Sequence, residues 1–156
     1  MSSQVIAENR KAYHDYFIFD KFEAGIELKG SEVKSIRDSR VNLKDSYVRI
    51  ANGEVFIVNL HIATYSYTHH FIPEPTRTRK LLLNSREIER LGISLDQKGY
   101  ACIPIKVYFK RNFVKLEIAL AKKKKMHDKR QALKEKIHKR EVDKAMKEII
   151  QKKNQH

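Results

Sequence analysis

The chain has 156 residues, 33 of them Lys or Arg against 19 Asp or Glu, for a formal net charge of +14. That length fits one compact domain with an appendage, and so large a cationic excess seeks a polyanion. No stretch approaches the roughly 20 apolar residues of a spanning helix and no signal-peptide apolar core is read near the start, so no membrane partner is expected and the expected location is cytoplasmic.

The apolar residues of positions 1–121 mostly alternate, which makes strands the dominant element there. Phe22, Ala24, Ile26 and Leu28 interleave with Glu23, Gly25 and Glu27, the two-residue period of a strand with one buried face and a partly acidic opposite one. After Gly30, Ser31 is placed to cap a short helix, with Glu32 near its positive end and Val33 and Ile36 turned inward to plug the sheet. Residues 47–58 read as a strand pair, because Asn52-Gly53 favours the positive φ angles of a two-residue hairpin turn. The stretch through Tyr65, Tyr67, His69 and His70 to Pro73 and Pro75 reads as a loop, since prolines lack the donors a central strand needs. Asn84 and Glu87 form an N-cap and capping-box pair for a two-turn helix that carries Ile88 and Leu91 and ends at Gly92. Ile103, Ile105, Val107 and Phe109 alternate, as do Val114, Leu116, Ile118 and Leu120 beyond the Lys110-Arg111-Asn112 link. They predict an antiparallel hairpin with Pro104 facing solvent or a bulge. Cys102, the single cysteine, cannot form an internal disulfide and reads as a small buried hydrophobe.

Charge divides the chain. Residues 122–156 hold fourteen Lys or Arg against five Asp or Glu, so +9 of the +14 sits there. This tail has too few large apolar residues for a core of its own and is expected to be disordered when free. Leu133 and Ile137, then Val142, Ala145, Met146 and Ile149, recur at helical spacings, so the tail can become helical on a suitable surface. Glu135 and Lys139 add a favourably oriented pair worth about 0.2–0.5 kcal/mol. The expected fold is therefore mainly β with short helices: an OB-like closed antiparallel β-barrel with an N-terminal arm over 1–121, and a basic C-terminal tail over 122–156.

Catalytic chemistry finds little support. His61, His69 and His70 with a lone cysteine lack the paired spacing of a zinc site, so no metal and no cofactor is expected. No glycine loop cradles phosphate, no nucleophile elbow is present, and the carboxylates do not cluster as in a two-metal nuclease. The chain is not expected to be an enzyme; an RNA-processing activity is the least supported reading.

Four segments read together are more specific. The run Glu8-Asn9-Arg10-Lys11-Ala12-Tyr13-His14-Asp15-Tyr16-Phe17-Ile18 continues into Phe22-Glu23-Ala24-Gly25-Ile26 and Glu32-Val33-Lys34-Ser35-Ile36-Arg37. Asp45-Ser46-Tyr47-Val48, Pro75-Thr76-Arg77-Thr78-Arg79-Lys80-Leu81-Leu82-Leu83-Asn84 and Lys124-Lys125-Met126-His127-Asp128-Lys129-Arg130 follow. In order and spacing these resemble the small protein B family, almost from end to end. The resemblance implies an RNA-binding role in trans-translation, the rescue of ribosomes stalled on messages without a usable stop codon. The barrel would grip the tRNA-like domain of transfer-messenger RNA (SsrA), and the tail would probe the empty decoding centre and message channel of the ribosome, chiefly small-subunit ribosomal RNA. The free protein is expected to be a monomer. The competing reading is a ribosomal protein or translation factor that binds structured RNA without a rescue duty.

By the same resemblance the RNA-binding residues are Arg10, Lys11, Tyr16, Glu23, Arg79, Lys80, Leu82 and Asn84. Arg10, Lys11, Arg77, Arg79 and Lys80 can neutralise phosphates, an attraction weakened by salt, although each is otherwise a plain surface charge. Glu23 is repelled by phosphate, so beside RNA it needs a base amino group or a 2′-hydroxyl; its bland reading is a solvent-facing strand residue. Leu82 would pack on an unstacked base or ribose. Asn84 serves both RNA and helix cap only if its side-chain oxygen caps while its amide points outward. Tyr16 stacks on RNA or packs inside. In the tail, Lys124, Lys125, His127, Asp128, Lys129 and Arg130 would monitor the decoding centre, the imidazole stacking on a base and the cations meeting phosphate. Lys123 stands where the family often has glycine, and the chain lacks a tryptophan that relatives often carry.

Overall fold

A computed structural model describes residues 3–67 and 72–154; the side chains of 126–129, 131–133, 135 and 153–154 lie outside the description, as do His69 and His70. In chain order the elements are β1 (Gln4–Glu8), α1 (Arg10–Asp15), β2 (Tyr16–Ile26), α2 (Gly30–Arg37), β3 (Val41–Asn42), β4 (Tyr47–Ala51) and β5 (Glu54–Val58). There follow β6 (His61–Ile62), β7 (Arg79–Leu82), α3 (Ser85–Leu95), β8 (Tyr100–Lys110), β9 (Phe113–Lys123) and α4 (Met126–Asn154). The chain divides into two units, Met1–Lys123 and Lys124–His156.

The first unit is mainly β. Its described pairings are antiparallel and run β8–β4–β5–β7–β2–β9 and back to β8, a ring of six strands with β1 added along β8. β3 and β6 form a separate two-stranded pair. Asn52-Gly53 has the turn chemistry the sequence calls for, and the Lys110-Arg111-Asn112 link turns in the same way. Asn52 and Gly53 take φ of 52° and 75°, and Arg111 and Asn112 take 52° and 67°, positive at both central positions as a type I′ turn requires.

Two β-bulges decide which side chains are buried where. In β8 the register slips between Pro104 and Lys106, the position where a missing N–H does least harm. Ile103 and Ile105 therefore do not share a face with Val107 and Phe109, as simple alternation predicted. They join Ala12, Ala119 and Ala121 in a small cluster under α1, while Val107 joins the main core. In β2 the slip lies between Ile18 and Lys21. Tyr16 and Ile18 pack on the small cluster, whereas Phe22 and Ala24 belong to the main one with Ile36, Ile57, Leu81, Leu116 and Ile118. The run 118–121 of β9 is thus buried on both faces, which its Ala119 and Ala121 permit by letting α1 approach closely. Cys102 is buried in the main core, and burial pushes its thiol pKa up to about 12.

The helices differ from expectation at their ends. α2 begins at Gly30, so Ser31 is not its cap; the Lys29 N–H donates to Glu32 Oε1 at 2.8 Å. α3 keeps the expected capping box but runs eleven residues, through Gly92 to Leu95. The glycine costs about 1 kcal/mol against alanine there, and Leu95, packed against the core, offsets it. In the second unit, α4 is one helix of 29 residues where disorder in the free chain was expected. It holds no Gly or Pro and is rich in Lys, which with its Glu and Arg residues supplies good helix formers. No helix among the described residues is long and apolar enough to cross a membrane.

One buried ionic centre ties the first unit together. Glu32, 3% exposed, accepts from Arg77 Nη2 at 2.6 Å and Nε at 3.0 Å, and from Arg79 Nε at 2.7 Å. Arg79, 1% exposed, also donates to the Leu60 carbonyl at 2.6 Å and the Pro75 carbonyl at 3.0 Å. Alternation along β7 turns Arg79 and Leu81 inward and Lys80 and Leu82 outward. The expectation that Arg79 meets phosphate is corrected accordingly: its donors are committed to Glu32 and two carbonyls. Burial alone would raise the Glu32 pKa, but the Arg77, Lys29 and Arg79 hydrogen bonds reverse this and hold it below the ordinary value.

Removing one partner strands a buried charge, so Glu32→Ala is expected to lose about 3–5 kcal/mol in urea unfolding. Because the folded pKa is depressed, the carboxylate's contribution is present above the ordinary Glu value of about 4.3 and is lost as pH falls below it. Stability measured on acidification should therefore fall less steeply in Glu32→Gln than in the parent.

Candidate nucleic-acid interface

The outward face of β7, β2, β9 and β8 assembles the first set of candidate residues. Register places Leu82 opposite Gly25, Gly25 opposite Lys115, and Lys115 opposite Tyr108, one row across four strands. Glu23 lies two residues from Gly25 on the same face of β2, paired across to Glu117. Gly25 lets the strands approach closely: a Cβ there would come within 3.2 Å of the Leu82 Cβ and would push it aside by a few tenths of an ångström. Leu82 is 49% exposed, an apolar side chain held open on a sheet surface. A groove of about 230 Å³ runs beside it, lined by Gly25, Leu82, Phe113 and Lys115 among others.

Glu23 is not a bare carboxylate. The Tyr108 hydroxyl donates to its Oε2 at 2.5 Å, and Lys110 Nζ lies 3.3 Å from Oε1. The phenol's hydrogen bond, with Lys110 adding to it, holds the Glu23 carboxyl below the usual range. Burial and the carboxylate together push the Tyr108 hydroxyl pKa up. The side chain is thus an ionised acceptor at neutral pH, fixed in direction and able to accept a further hydrogen bond from an amino or hydroxyl group.

Asn84 resolves its two roles by atom. Its Oδ1 accepts from the Glu87 N–H at 2.9 Å, while the Asn84 backbone N–H donates to Glu87 Oε1 at 3.3 Å. The amide nitrogen, on an exposed residue, has no hydrogen bond to the described protein and remains able to donate outward. Lys80 is outward-facing on β7, with Nζ 3.6 Å from Glu54 Oε1. Arg77 is drawn to Glu32 instead.

Arg10, Lys11 and Tyr16 gather elsewhere. They line a groove of about 450 Å³ with Lys44, Asp45 and Lys123. Arg10 is almost fully exposed and 3.8 Å from Glu8, whereas Tyr16 both lines this groove and packs on the Ala12 cluster. Of the tail set, Lys124, Lys125 and Arg130 are described, the last exposed on α4. The side chains of His127, Asp128 and Lys129 lie outside the described part. Sequence reading missed Tyr108, Lys110, Phe113 and Lys115. Tyr108 and Lys110 alternate with Val107 and Phe109, so the strand period alone marks them as a second face. Among the described residues no three His, Cys, Asp or Glu converge as metal ligands.

Fold and site together define a small, basic, mainly β protein with an outward sheet face that mixes an acceptor, an amide, cations and an exposed leucine. A family model described as "SmpB protein" matches residues 6–148, and the chain belongs to that family. It is similar to an SsrA-binding protein of Caldicellulosiruptor bescii, 54% identical over 147 residues that cover 94% of this chain and 93% of the relative. An SsrA-binding protein of Bacillus cereus is 51% identical over 147 residues, covering 94% and 95%. A chain of the solved structure described as "tmRNA-SmpB: a journey to the center of the bacterial ribosome" is 41% identical, with a TM-score of 0.67, covering 81% of this chain and 93% of that one.

Tyr108→Phe removes the hydroxyl that donates to Glu23, so the Glu23 carboxyl should titrate at higher pH than in the parent. A carboxyl-resolved NMR titration measures this; an unmoved titration would show that the pair does not set the carboxylate.

Proposed function

We propose that this chain is a transfer-messenger-RNA (SsrA)-binding protein of trans-translation. The observation that carries the reading is its likeness, along almost the whole chain, to SsrA-binding proteins at 54% and 51% identity. The six-strand ring is read as an OB-like closed barrel within a 1–121 body, and its outward face with Glu23, Leu82 and Asn84 as the surface that takes the tRNA-like domain. Leu82 offers packing area to a splayed base or ribose, Glu23 accepts, and the Asn84 amide donates. Lys80, with Arg10 and Lys11 at the second groove, supplies salt-sensitive phosphate attraction; Tyr16 stacks beside them.

The basic tail over 122–156 is the ribosome-directed part. Lys124, Lys125, His127, Asp128, Lys129 and Arg130 meet ribosomal RNA of the vacant decoding centre. The helix beyond follows the message track, which makes an intact message its competitor. Off the ribosome that helix is marginal, because Ile137, Val142, Met146, Ile149 and Ile150 are about half exposed and give it little burial to stabilise it. The protein acts as a monomer, in the cytoplasm, by binding alone; no bond is made or broken.

Deleting 124–156 is expected to leave affinity for the tRNA-like domain within about twofold and to abolish peptide tagging on stalled ribosomes. Tagging by the truncated protein would refute the two-part mechanism. Glu23→Ala should weaken RNA capture roughly tenfold, a loss of about 1.4 kcal/mol. Asn84→Asp keeps the capping oxygen but loses the amide, so its thermal stability should hold while its RNA affinity drops. Equal affinity of the parent for transfer-messenger RNA, transfer RNA and ribosomal RNA, with no tagging, would instead identify a general structured-RNA binder.

A further inference from the structure

The two donors on Glu23 are unequal, and the inequality has a use at the proposed RNA face. Tyr108 is 8% exposed, and its backbone is paired on both sides, with Val5 of β1 and with Lys115 of β9. Its hydroxyl donates to Glu23 Oε2 at 2.5 Å. Lys110 is the last residue of β8, beside the Arg111-Asn112 turn, and its side chain is 49% exposed. Its ammonium stands 3.3 Å from Oε1 and 3.4 Å from Oε2, straddling the carboxylate without a short bond to either oxygen. A phenol set in two ladders has little freedom left to lose. An exposed lysine gives up side-chain entropy to hold one geometry, and water readily replaces it.

The neighbouring charges restrict what takes the lysine's place. Across the strand pair Glu23 stands opposite Glu117. Glu117 is met by Lys21 at 3.6 Å and by Lys106 at 4.0 Å, so it does not draw on Lys110. Two carboxylates side by side repel a phosphate that approaches them head on. A neutral donor meets no such barrier, and a base amino group or a 2′-hydroxyl each offers a hydrogen to a carboxylate oxygen.

We infer that Tyr108 is the permanent partner of Glu23 and Lys110 the exchangeable one. On binding, a neutral N–H or O–H donor of the RNA takes the place of Lys110 at Oε1, Tyr108 keeps Oε2, and the released ammonium turns to a flanking phosphate. Tyr108, buried as it is, acts through Glu23 and is a positioning residue. Lys110 couples recognition of a base or ribose edge to phosphate attraction, so the face selects RNA that presents both together. The inference rests on the reading of this face as the surface for the tRNA-like domain, and it names the chemistry that selects the ligand there.

The test measures binding of the full chain to a labelled tRNA-like RNA fragment. Tyr108→Phe should weaken binding about fivefold, whereas in a Glu23→Ala background the same substitution should change it by less than about twofold. Lys110→Gln should reduce the salt slope by about 0.7 to 0.9. In NMR spectra of the parent, the Lys110 ammonium should lose its contact with Glu23 when RNA is added, while the Tyr108 hydroxyl stays hydrogen-bonded. Fragments with base-amino deletions or 2′-deoxy substitutions tell the two donor sources apart: the class whose penalty vanishes in Glu23→Ala contains the donor. Three results would overturn the exchange: Tyr108→Phe that binds as the parent does, an equal loss with and without Glu23, or a Lys110 ammonium still tied to Glu23 in the complex. If circular dichroism shows that Tyr108→Phe does not fold, Lys110→Gln decides, and an unchanged salt slope overturns the exchange. A parent that does not bind the fragment would overturn the proposed function and the exchange with it. Intact parent binding that falls in Glu23→Ala but is indifferent to Tyr108 overturns the exchange alone.

Discussion

The Glu32 carboxylate is the node on which the first unit turns. It receives both Arg77 and Arg79, and through Arg79 it fixes the carbonyls of Leu60 and Pro75. One side chain on α2 therefore joins the segment after β5, the end of the long connection and the entry to β7. A buried pair of this kind is a weak source of net stability but is costly to leave half made. Its effect is positional: α2 is held against the sheet, and β7 enters with Lys80 and Leu82 facing outward. The candidate face that carries Leu82 and Glu23 inherits its register from that constraint.

Much of this fold was legible because alternation and turn chemistry agree locally. The Asn52-Gly53 and β8–β9 hairpins follow from alternation and short turns at positive φ, and the Asn84 capping box satisfies its own backbone within three residues. What escaped the sequence depended on partners far away. Pro104 and the segment after Ile18 signal bulges only when a neighbouring strand supplies a register to slip against. Simple alternation then misassigns Ile103 and Ile105. α1 is six residues long, too short for a periodic pattern, and is set by Asn9, which accepts from the Ala12 N–H and donates to the Pro104 carbonyl.

The candidate site was legible in part for the same reason. Glu23, Leu82 and Asn84 came from family likeness, and their mutual placement comes from the β2–β7 pairing. Arg79 was misjudged although the signal was present: in Arg79-Lys80-Leu81-Leu82 a period of two forces either Arg79 and Leu81 or Lys80 and Leu82 inward. Only the distant Glu32 makes it reasonable for the arginine to accompany Leu81. Tyr108 and Lys110 were passed over because their neighbours Val107 and Phe109 drew attention as core. Outward-turned side chains on a strand gain meaning from the strand beside them, which composition does not reveal.

Cys102 has a practical chemical consequence. Its thiol is buried, and its pKa of about 12 leaves almost no thiolate at neutral pH. The folded chain is therefore effectively silent toward maleimides and disulfide reagents. A single cysteine introduced on either unit could carry a spectroscopic label without competition from the native one. The two units could then be followed separately, in the same molecule and on intact ribosomes.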